Sequence, residues 1–270
     1  MSTRGGPVRE VRCVHPPSGI ALIEADEMTV RCGAGTPIAE LAAALAEVGQ
    51  RTVLPDGGTV GGALATGWSG TRRLGDGPMR DALLQARYIG ADGSIVKAGG
   101  PTVKNVSGFD VCRLLVGSRG ALGFLGEVIL RTRPIAQHSQ WFTSEAHNPL
   151  ALFERLYRPT TVLWNGDRLW VLLEGHPLDV AAAAAEHGLD ACDGPPALPS
   201  HRSFVPLREQ TMVRDRFEPG SFLLEVGVGV VHAAQPGDAG RIDPAVAAVS
   251  ARVKQQFDPT GRLNPGVVVA

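Results

Sequence analysis

Short apolar groups separated by turn residues dominate the first third of the chain, and one stripe of helical period interrupts them. GIALIEADEMTVRCG, residues 19–33, reads as two short strands about an acidic turn, with Thr29, Val30 and Cys32 supplying β-type side chains. The helical stripe follows, with Ile38, Leu41, Ala42, Leu45 and Val48 on one face. Thr36 is placed as its N-cap, Pro37 at its first position and Gly49 as its stop. Such a helix is expected to pack on a sheet.

The pattern then becomes glycine-rich without losing its apolar positions. GQRTVLPDGGTVGGALATGWSG interleaves Val53, Leu54, Val60 and Leu64 with its glycines. A tight structural turn, a phosphate cradle and a flexible linker are the three readings. The spaced apolar residues favour an ordered, packed loop, so a linker fits least. DALLQARYIGADGSIVKAGG reads as a hairpin turning at Asp92-Gly93. LLVGSRGALGFLGEVILRTRP pairs a second glycine-rich turn with a strand at Glu127 to Arg133, closed by Pro134.

From about residue 138 the texture changes. TVLWNGDRLWVLLEG reads as a hairpin turning at Asn165-Gly166, with Trp170 and Leu172 on one face. An alanine-rich helix is expected from Asp179 to His187, and CDGPPALPSHRSFVP reads as a loop or boundary. SFLLEVGVGVVHAA is a strand pair or one long bent strand, PAVAAVSARVKQQF a helix, and DPTGRLNPG closes the chain. No internal repeat is visible.

Composition narrows the class. With 270 residues, 44% hydrophobic and 20% charged, the chain can bury a real core, and disordered and fibrous classes drop out. A formal net charge of −1 gives no general attraction to nucleic acid or anionic lipid, so an anionic ligand must be bound locally. Apolar runs fall short of the ~18 to 20 residues a membrane span needs, which leaves no direct membrane insertion. Cys13, Cys32, Cys112 and Cys192 form no C-x-x-C pair, and the N-terminus has no apolar leader; free thiols, a cytoplasmic location and small-core roles are expected. The seven histidines show no H-x-x-H or H-E-x-x-H spacing, so no metal site is assigned.

The glycines of TVGGALATGWSG invite two chemistries. Without a Cβ, Gly61 and Gly62 let backbone amides approach an anion and form a nest. The alternative is that they satisfy positive φ or close packing. Neither G-x-x-x-x-G-K-[ST] nor a strand-linked G-x-G-x-x-G is present, which argues against a P-loop or a nicotinamide-type Rossmann domain.

Quoted in order, LPDGGTVGGALATGWSG, RRLGDGPMRD, ADGSIVKAGG, VKNVSGFDVCRLLVGSRGALGFLGEVILRTRP and KQQFDPTGRLNPG form a series. The series resembles the FAD-binding domain of the vanillyl-alcohol oxidase and p-cresol methylhydroxylase (PCMH) superfamily. Within it, the chain looks most like the small FAD-binding subunits of bacterial glycolate oxidases. The resemblance implies an α+β class: a two-subdomain PCMH-type FAD-binding fold, its N-terminal subdomain truncated, plus a reduced α/β cap domain. It places the FAD-binding domain at 1–135, the cap at 136–250 and a C-terminal segment, 251–270, returning to the FAD domain.

Carried over residue by residue, the resemblance implies that Pro55 and Thr59, Val60, Gly61, Gly62, Ala65 and Thr66 wrap the FAD pyrophosphate through main-chain amides. Gly70, Gly77 and Asp81 fall in the following cofactor-lining turn. Gly108, Gly117, Gly120 and Gly123 fall on the adenosine and ribityl portion, and Asn264 lies near the isoalloxazine ring. For Arg72, Arg73 and Lys104 an ion pair and a phosphate or carboxylate contact stay open, and Asp110 with Arg113 reads as an exposed helical pair.

Two departures from the family pattern shape the functional expectation. Full-length members carry an R-G-G-G loop with its helix ahead of the equivalent of residue 20, where this chain offers only Arg4-Gly5-Gly6. Hydroxyacid-oxidising members carry a histidine-rich metal-binding cap, where this chain offers His232 alone, so no catalytic residue is assigned. The resemblance then implies an FAD-binding subunit of a 2-hydroxyacid (glycolate) oxidase or dehydrogenase complex, with a sister FAD-linked subunit and an iron–sulfur subunit as partners. A structural subunit that has lost FAD is the alternative. An autonomous FAD oxidase for another alcohol fits least, since it needs a closed, dry substrate pocket.

Overall fold

The computed structural model describes residues 14–101, 110–236 and 243–267, which fall into two compact units. The α+β class is the one found, with antiparallel sheets and helices in each unit. No helix among the described residues is long and apolar enough to cross a membrane.

The first unit comprises residues up to Gly70, Pro78–Ile135 and the C-terminal segment. Its strands are β1 (Ile20–Glu24), β2 (Thr29–Gly33), β3 (Gln50–Arg51), β4 (Leu83–Ile89), β5 (Ile95–Gly99), β6 (Phe124–Arg131) and β7 (Arg133–Pro134). Five form an antiparallel sheet in the order β1-β2-β6-β4-β5, and β3 pairs with β7. Side chains alternate across the sheet as a period of two requires: Val30, Cys32, Ala86 and Val128 face the core, while Arg31 and Arg87 do not. β6 begins at Phe124, three residues before the expected start, because Phe124 and Leu125 pair with Ile89 and Tyr88 of β4.

The helix Ile38–Glu47 packs on this core through Ile38, Leu41 and Leu45. Two expectations about it change. Pro37, not Thr36, holds the N-cap position, because the Thr36 hydroxyl is fully buried and exchanges hydrogen bonds with the Gly19 amide and carbonyl at 2.9 and 3.2 Å. Val48 leaves the buried stripe and is exposed, since the helix has already ended at Glu47 and Gly49 turns the chain with φ +69°. Asp243 caps the C-terminal helix, Pro244–Phe257, whose Val253 and Phe257 pack against the same core.

The residues after that helix fold around one carboxylate. Asp258 is buried and accepts from Lys254 Nζ at 2.6 Å, from the Arg262 and Leu263 amides at 2.9 and 2.8 Å, and from the Thr260 hydroxyl at 3.2 Å. Burial pushes its carboxyl up. The hydrogen bonds from Lys254, Leu263 and Arg262, with the Lys254 charge, outweigh that and bring it down to about 2.

The second unit comprises Thr71–Gly77 and residues 136–241. Its strands are β8 (His138–Glu145), β9 (Thr161–Trp164), β10 (Arg168–Gly175), β11 (Asp190–Cys192), β12 (His201–Phe204), β13 (Phe222–Glu225) and β14 (Val230–Ala233). They form one antiparallel sheet in the order β11-β8-β10-β9-β13-β14-β12. The Asn165-Gly166 hairpin joins β9 and β10 as expected, and SFLLEVGVGVVHAA resolves into the pair β13–β14. β12 lies inside the stretch read as loop: its alternation is too short to stand out in sequence, and pairing with β14 fixes it.

One face of this sheet is apolar, with Trp164 and Phe222 edge-to-face at 5.7 Å and the Trp164 indole donating to the Ala146 carbonyl at 2.8 Å. The helix Pro177–His187 packs here through Val180 and Ala184, capped by the His176 ring and ended by Gly188 in the left-handed region. Within the same unit Arg72 pairs with Glu174, and the Gly75 amide donates to the Thr160 carbonyl at 3.1 Å. A Cβ on Gly75 would stand 2.9 Å from the Thr160 Cα, so this short helix needs its glycine for contact.

Glu225 and His232 sit buried in the sheet and share a hydrogen bond of 2.7 Å, with the Arg202 guanidinium 3.7 Å from the same carboxylate oxygen. Burial lowers the Arg202 pKa; Glu225 opposes that and Arg73 adds to it. Cys32, Cys112 and Cys192 are free, the first two buried, while Cys13 lies outside the described residues. Burial, with Glu127 and Glu40 nearby, raises the Cys32 thiol to about 12, and burial with Asp110 raises Cys112 to about 11.

Replacing Glu225 with Ala deprives His232 of its buried partner and is expected to cost about 1 to 3 kcal/mol. Tryptophan fluorescence in urea measures it, and an unmoved midpoint would deny the pair a stabilising role. The Asp258 carboxyl is depressed in the folded state, so its contribution is complete above the usual 3.8 and is lost as pH falls toward about 2. Parent and Asp258→Asn melting temperatures should therefore differ near neutrality and converge on acidification; a constant gap would contradict this.

Candidate functional site

TVGGALAT, read as a packed loop or nest, is a helix: Val60–Thr66. Glycines cost roughly 1 kcal/mol each within a helix, so its ends must compensate. The Thr59 hydroxyl accepts from the Gly62 amide at 3.2 Å, Gly67 ends the helix at φ +69°, and Val60, Ala63 and Leu64 bury one face in the core. Both cap residues are visible in the sequence, but the glycines between them depress its helix propensity and mask the helix.

A second glycine segment, Gly117–Gly123, lies against this helix main chain to main chain. The Gly117 amide donates to the Leu64 carbonyl at 2.9 Å and the Arg119 amide to the Ala65 carbonyl at 2.8 Å. A Cβ on Gly67 would stand 2.7 Å from the Gly117 Cα, so this contact requires a glycine. Between the two segments opens a cavity of about 210 Å³. Thr59, Gly61, Gly62, Ala65, Gly120 and Gly123 line it, all of them among the expected residues. Val14, Pro16, Leu115, Ser118, Phe124 and Leu125 complete the wall and were not anticipated, being ordinary core types with no motif of their own.

The glycines divide by what they face. Gly61 is tight against Ala34, where a Cβ would meet the Ala34 Cβ at 2.8 Å, and Gly123 lies against the Tyr88 ring at 2.4 Å by the same measure. At Gly62 the nearest such neighbour is the Thr59 hydroxyl at 3.1 Å, and at Gly120, φ +76°, there is none within 4 Å. Packing accounts for the first pair; the second opens on the cavity.

The amides divide in the same way. Those of Val60, Gly61 and Ala63 donate to the carbonyls of Thr36, Ala34 and Thr59, and that of Gly62 to its cap. The amides of Thr59 and Gly120 make no hydrogen bond to another described residue, and both belong to wall residues. None of the described lining residues carries a charge; they offer main-chain dipoles, the Thr59 hydroxyl and apolar surface, while the Ser118 hydroxyl is donated to the Leu115 carbonyl at 2.8 Å. That suits a phosphate-bearing group held without a cation. The volume is below the ~300 to 1,000 Å³ usual for a whole ligand, so it fits a portion of a dinucleotide.

The remaining expected residues lie elsewhere. Val60 is fully buried in the core, and the Thr66 hydroxyl is bonded back to the Gly62 and Ala63 carbonyls at 3.0 and 2.9 Å. Gly70 lies beside Pro55. Asp81 pairs with Arg113 at 2.9 Å, and Arg113 with Asp110 at 3.1 Å, giving the exposed pair a third member. Gly117 makes the close main-chain contact with Gly67, and Asn264 donates to the Arg119 carbonyl at 2.5 Å. Gly77 ends the helix Arg73–Asp76 in the second unit. Gly108 and Lys104 lie outside the described residues.

Comparison with known proteins agrees with this geometry. Residues 17–99 match the FAD binding domain family. The chain is 34% identical over 191 residues to glycolate oxidase subunit GlcE of Escherichia coli, covering 66% of this chain and 53% of that protein. It is 37% identical over 115 residues to a D-lactate dehydrogenase of Archaeoglobus fulgidus, 42% of this chain and 26% of the dehydrogenase. The chain thus spans about half the length of the first relative and a quarter of the second. A solved structure of alkyldihydroxyacetonephosphate synthase aligns over 92% of this chain and 65% of its own, with a TM-score of 0.64 at 14% identity, a likeness of fold. Residues 17–99 are thus similar to the FAD binding domain family, in a chain that shares the fold of that synthase.

Proposed function

We propose that the chain is the FAD-holding subunit of a 2-hydroxyacid oxidoreductase complex of the glycolate oxidase type. The cavity carries this reading: its described wall residues are uncharged, Gly62 and Gly120 present bare backbone, and the Thr59 and Gly120 amides make no hydrogen bond to another described residue. Similarity to a glycolate oxidase subunit and a D-lactate dehydrogenase supports the substrate class. The word subunit in the first relative's name supports partners, which we take to be a sister FAD-linked subunit and an iron–sulfur subunit.

Thr59 and Gly120 would hold the diphosphate through N–H groups, Gly62 would leave the wall open to its approach, and Leu115, Phe124 and Leu125 would keep water from the group beside it. FAD, when bound, would supply a two-electron carrier for electrons that come from the hydroxyacid by way of the sister subunit. The described lining residues bring no acid or base to the cavity, in keeping with oxidation of substrate on the sister subunit. A second reading, a structural subunit without flavin, draws on the internal bonds of the Val60, Gly61 and Ala63 amides and on the packing roles of Gly61, Gly67 and Gly123.

Purified chain, alone and co-expressed with its neighbouring subunits, should be yellow and release FAD on denaturation. Colourless protein from both preparations selects the flavin-free reading. Gly62→Val places a branched side chain on the cavity wall and should weaken FAD binding on the order of 100-fold. Fluorescence titration measures this beside a melting curve, and undiminished affinity in a folded variant removes Gly62 from the site.

A further inference from the structure

Every peptide group is a rigid plane with its C=O and N–H pointing in opposite directions. Whatever grips a carbonyl therefore aims the amide of the next residue. The Arg119 carbonyl and the Gly120 N–H belong to one such plane. Gly120 has no Cβ, sits at φ +76° and would have nothing within 4 Å of a Cβ, so no packing of its own holds that plane in place.

The carbonyl side is gripped from the C-terminal turn. Asn264 Nδ2 donates to the Arg119 carbonyl at 2.5 Å. Lys254 Nζ donates to the Ala121 carbonyl at 2.9 Å, holding the Ala121–Leu122 peptide two residues on. Its other two donors go to the Leu263 carbonyl at 2.8 Å and to Asp258 at 2.6 Å, so all three ammonium hydrogens are committed. Asp258 in turn binds the amides of Arg262 and Leu263, the residues leading into Asn264. One buried carboxylate thus joins the turn that carries Asn264 to Lys254 on the preceding helix; Asn264 grips the peptide that contains the Gly120 amide, and Lys254 the Ala121–Leu122 peptide beyond it.

We infer that Asn264 and Lys254 are positioning residues for the cofactor cavity, clamping the Arg119–Gly120 and Ala121–Leu122 peptides by their carbonyls so that the Gly120 N–H stays directed to its ligand. The inference rests on the FAD reading above for the identity of that ligand. It assigns Asn264 a task through the main chain and Lys254 a task that no motif marks. The clamp also ties retention of the cofactor to the C-terminal turn, which is far in sequence from the family match at 17–99.

The test uses the full chain with Asn264→Ala and Lys254→Met, and Lys254→Arg as the conservative variant. Amide hydrogen exchange is followed without flavin, and FAD affinity by fluorescence titration. The clamp predicts exchange at 119–123 faster by roughly tenfold in Asn264→Ala and Lys254→Met, with FAD affinity lower by a similar factor and both partly restored in Lys254→Arg. Local exchange and affinity within about twofold of the parent in both variants overturn it. Acceleration spread evenly over β4, β5 and β6 marks a merely structural role and overturns it as well. A parent chain that binds no FAD defeats the function proposed above instead, and the exchange measurement still decides whether the clamp exists.

Discussion

The arrangement depends on a main-chain contact that tolerates no side chain, the approach of Gly67 to Gly117. The last carbonyls of a helix ordinarily lack partners. Here those of Leu64 and Ala65 are taken up by the Gly117 and Arg119 amides, which is feasible only because Gly67 carries no Cβ and lets the backbones touch. One contact ends the helix, docks the second glycine segment and fixes the separation of the cavity walls. The sheet beneath contributes by holding Leu64 and Leu115 in one core, so the segments bearing these contacts cannot drift apart.

On the proposed function, such a wall would bind by dipoles and shape. With no charge among the described lining residues, its attraction for an anion would fall off over a short range, and little of it would come from long-range steering. Selectivity then lies in how well a ligand's oxygens meet a few fixed N–H groups, which places the burden on the rigidity of the loops. That explains why so many hydrogen bonds here are spent on holding backbone. It also explains why a protein of net charge −1 can carry a cavity suited to a diphosphate.

Much of this was legible in the chain. The alternation in 19–33, the stripe from Ile38 to Leu45, the Asn165-Gly166 hairpin and the helix Pro244–Phe257 each carry a local signal, and each stands in the fold. Within the glycine stretch the residues facing the cavity were identified, yet its helical state was not, because glycine's propensity masked the Thr59 cap and the Gly67 stop. The apolar half of the wall, Leu115, Phe124 and Leu125, carries no mark distinguishing lining from core. Thr36 shows the opposite failure: a good capping residue is drawn away by a tertiary bond to Gly19. The Glu225–His232 pair was also beyond reach, since the partners occupy neighbouring strands and meet only once the register is known.

The protonated thiols of the first unit have a practical corollary. Cys32 and Cys112, enclosed and held far from ionisation, lack the nucleophilic form that alkylating agents and peroxide attack, whereas Cys192 is partly open to solvent. Modification of the two enclosed sulfurs would thus wait for the β-sheet around them to open, giving the folded chain an internal clock for that event.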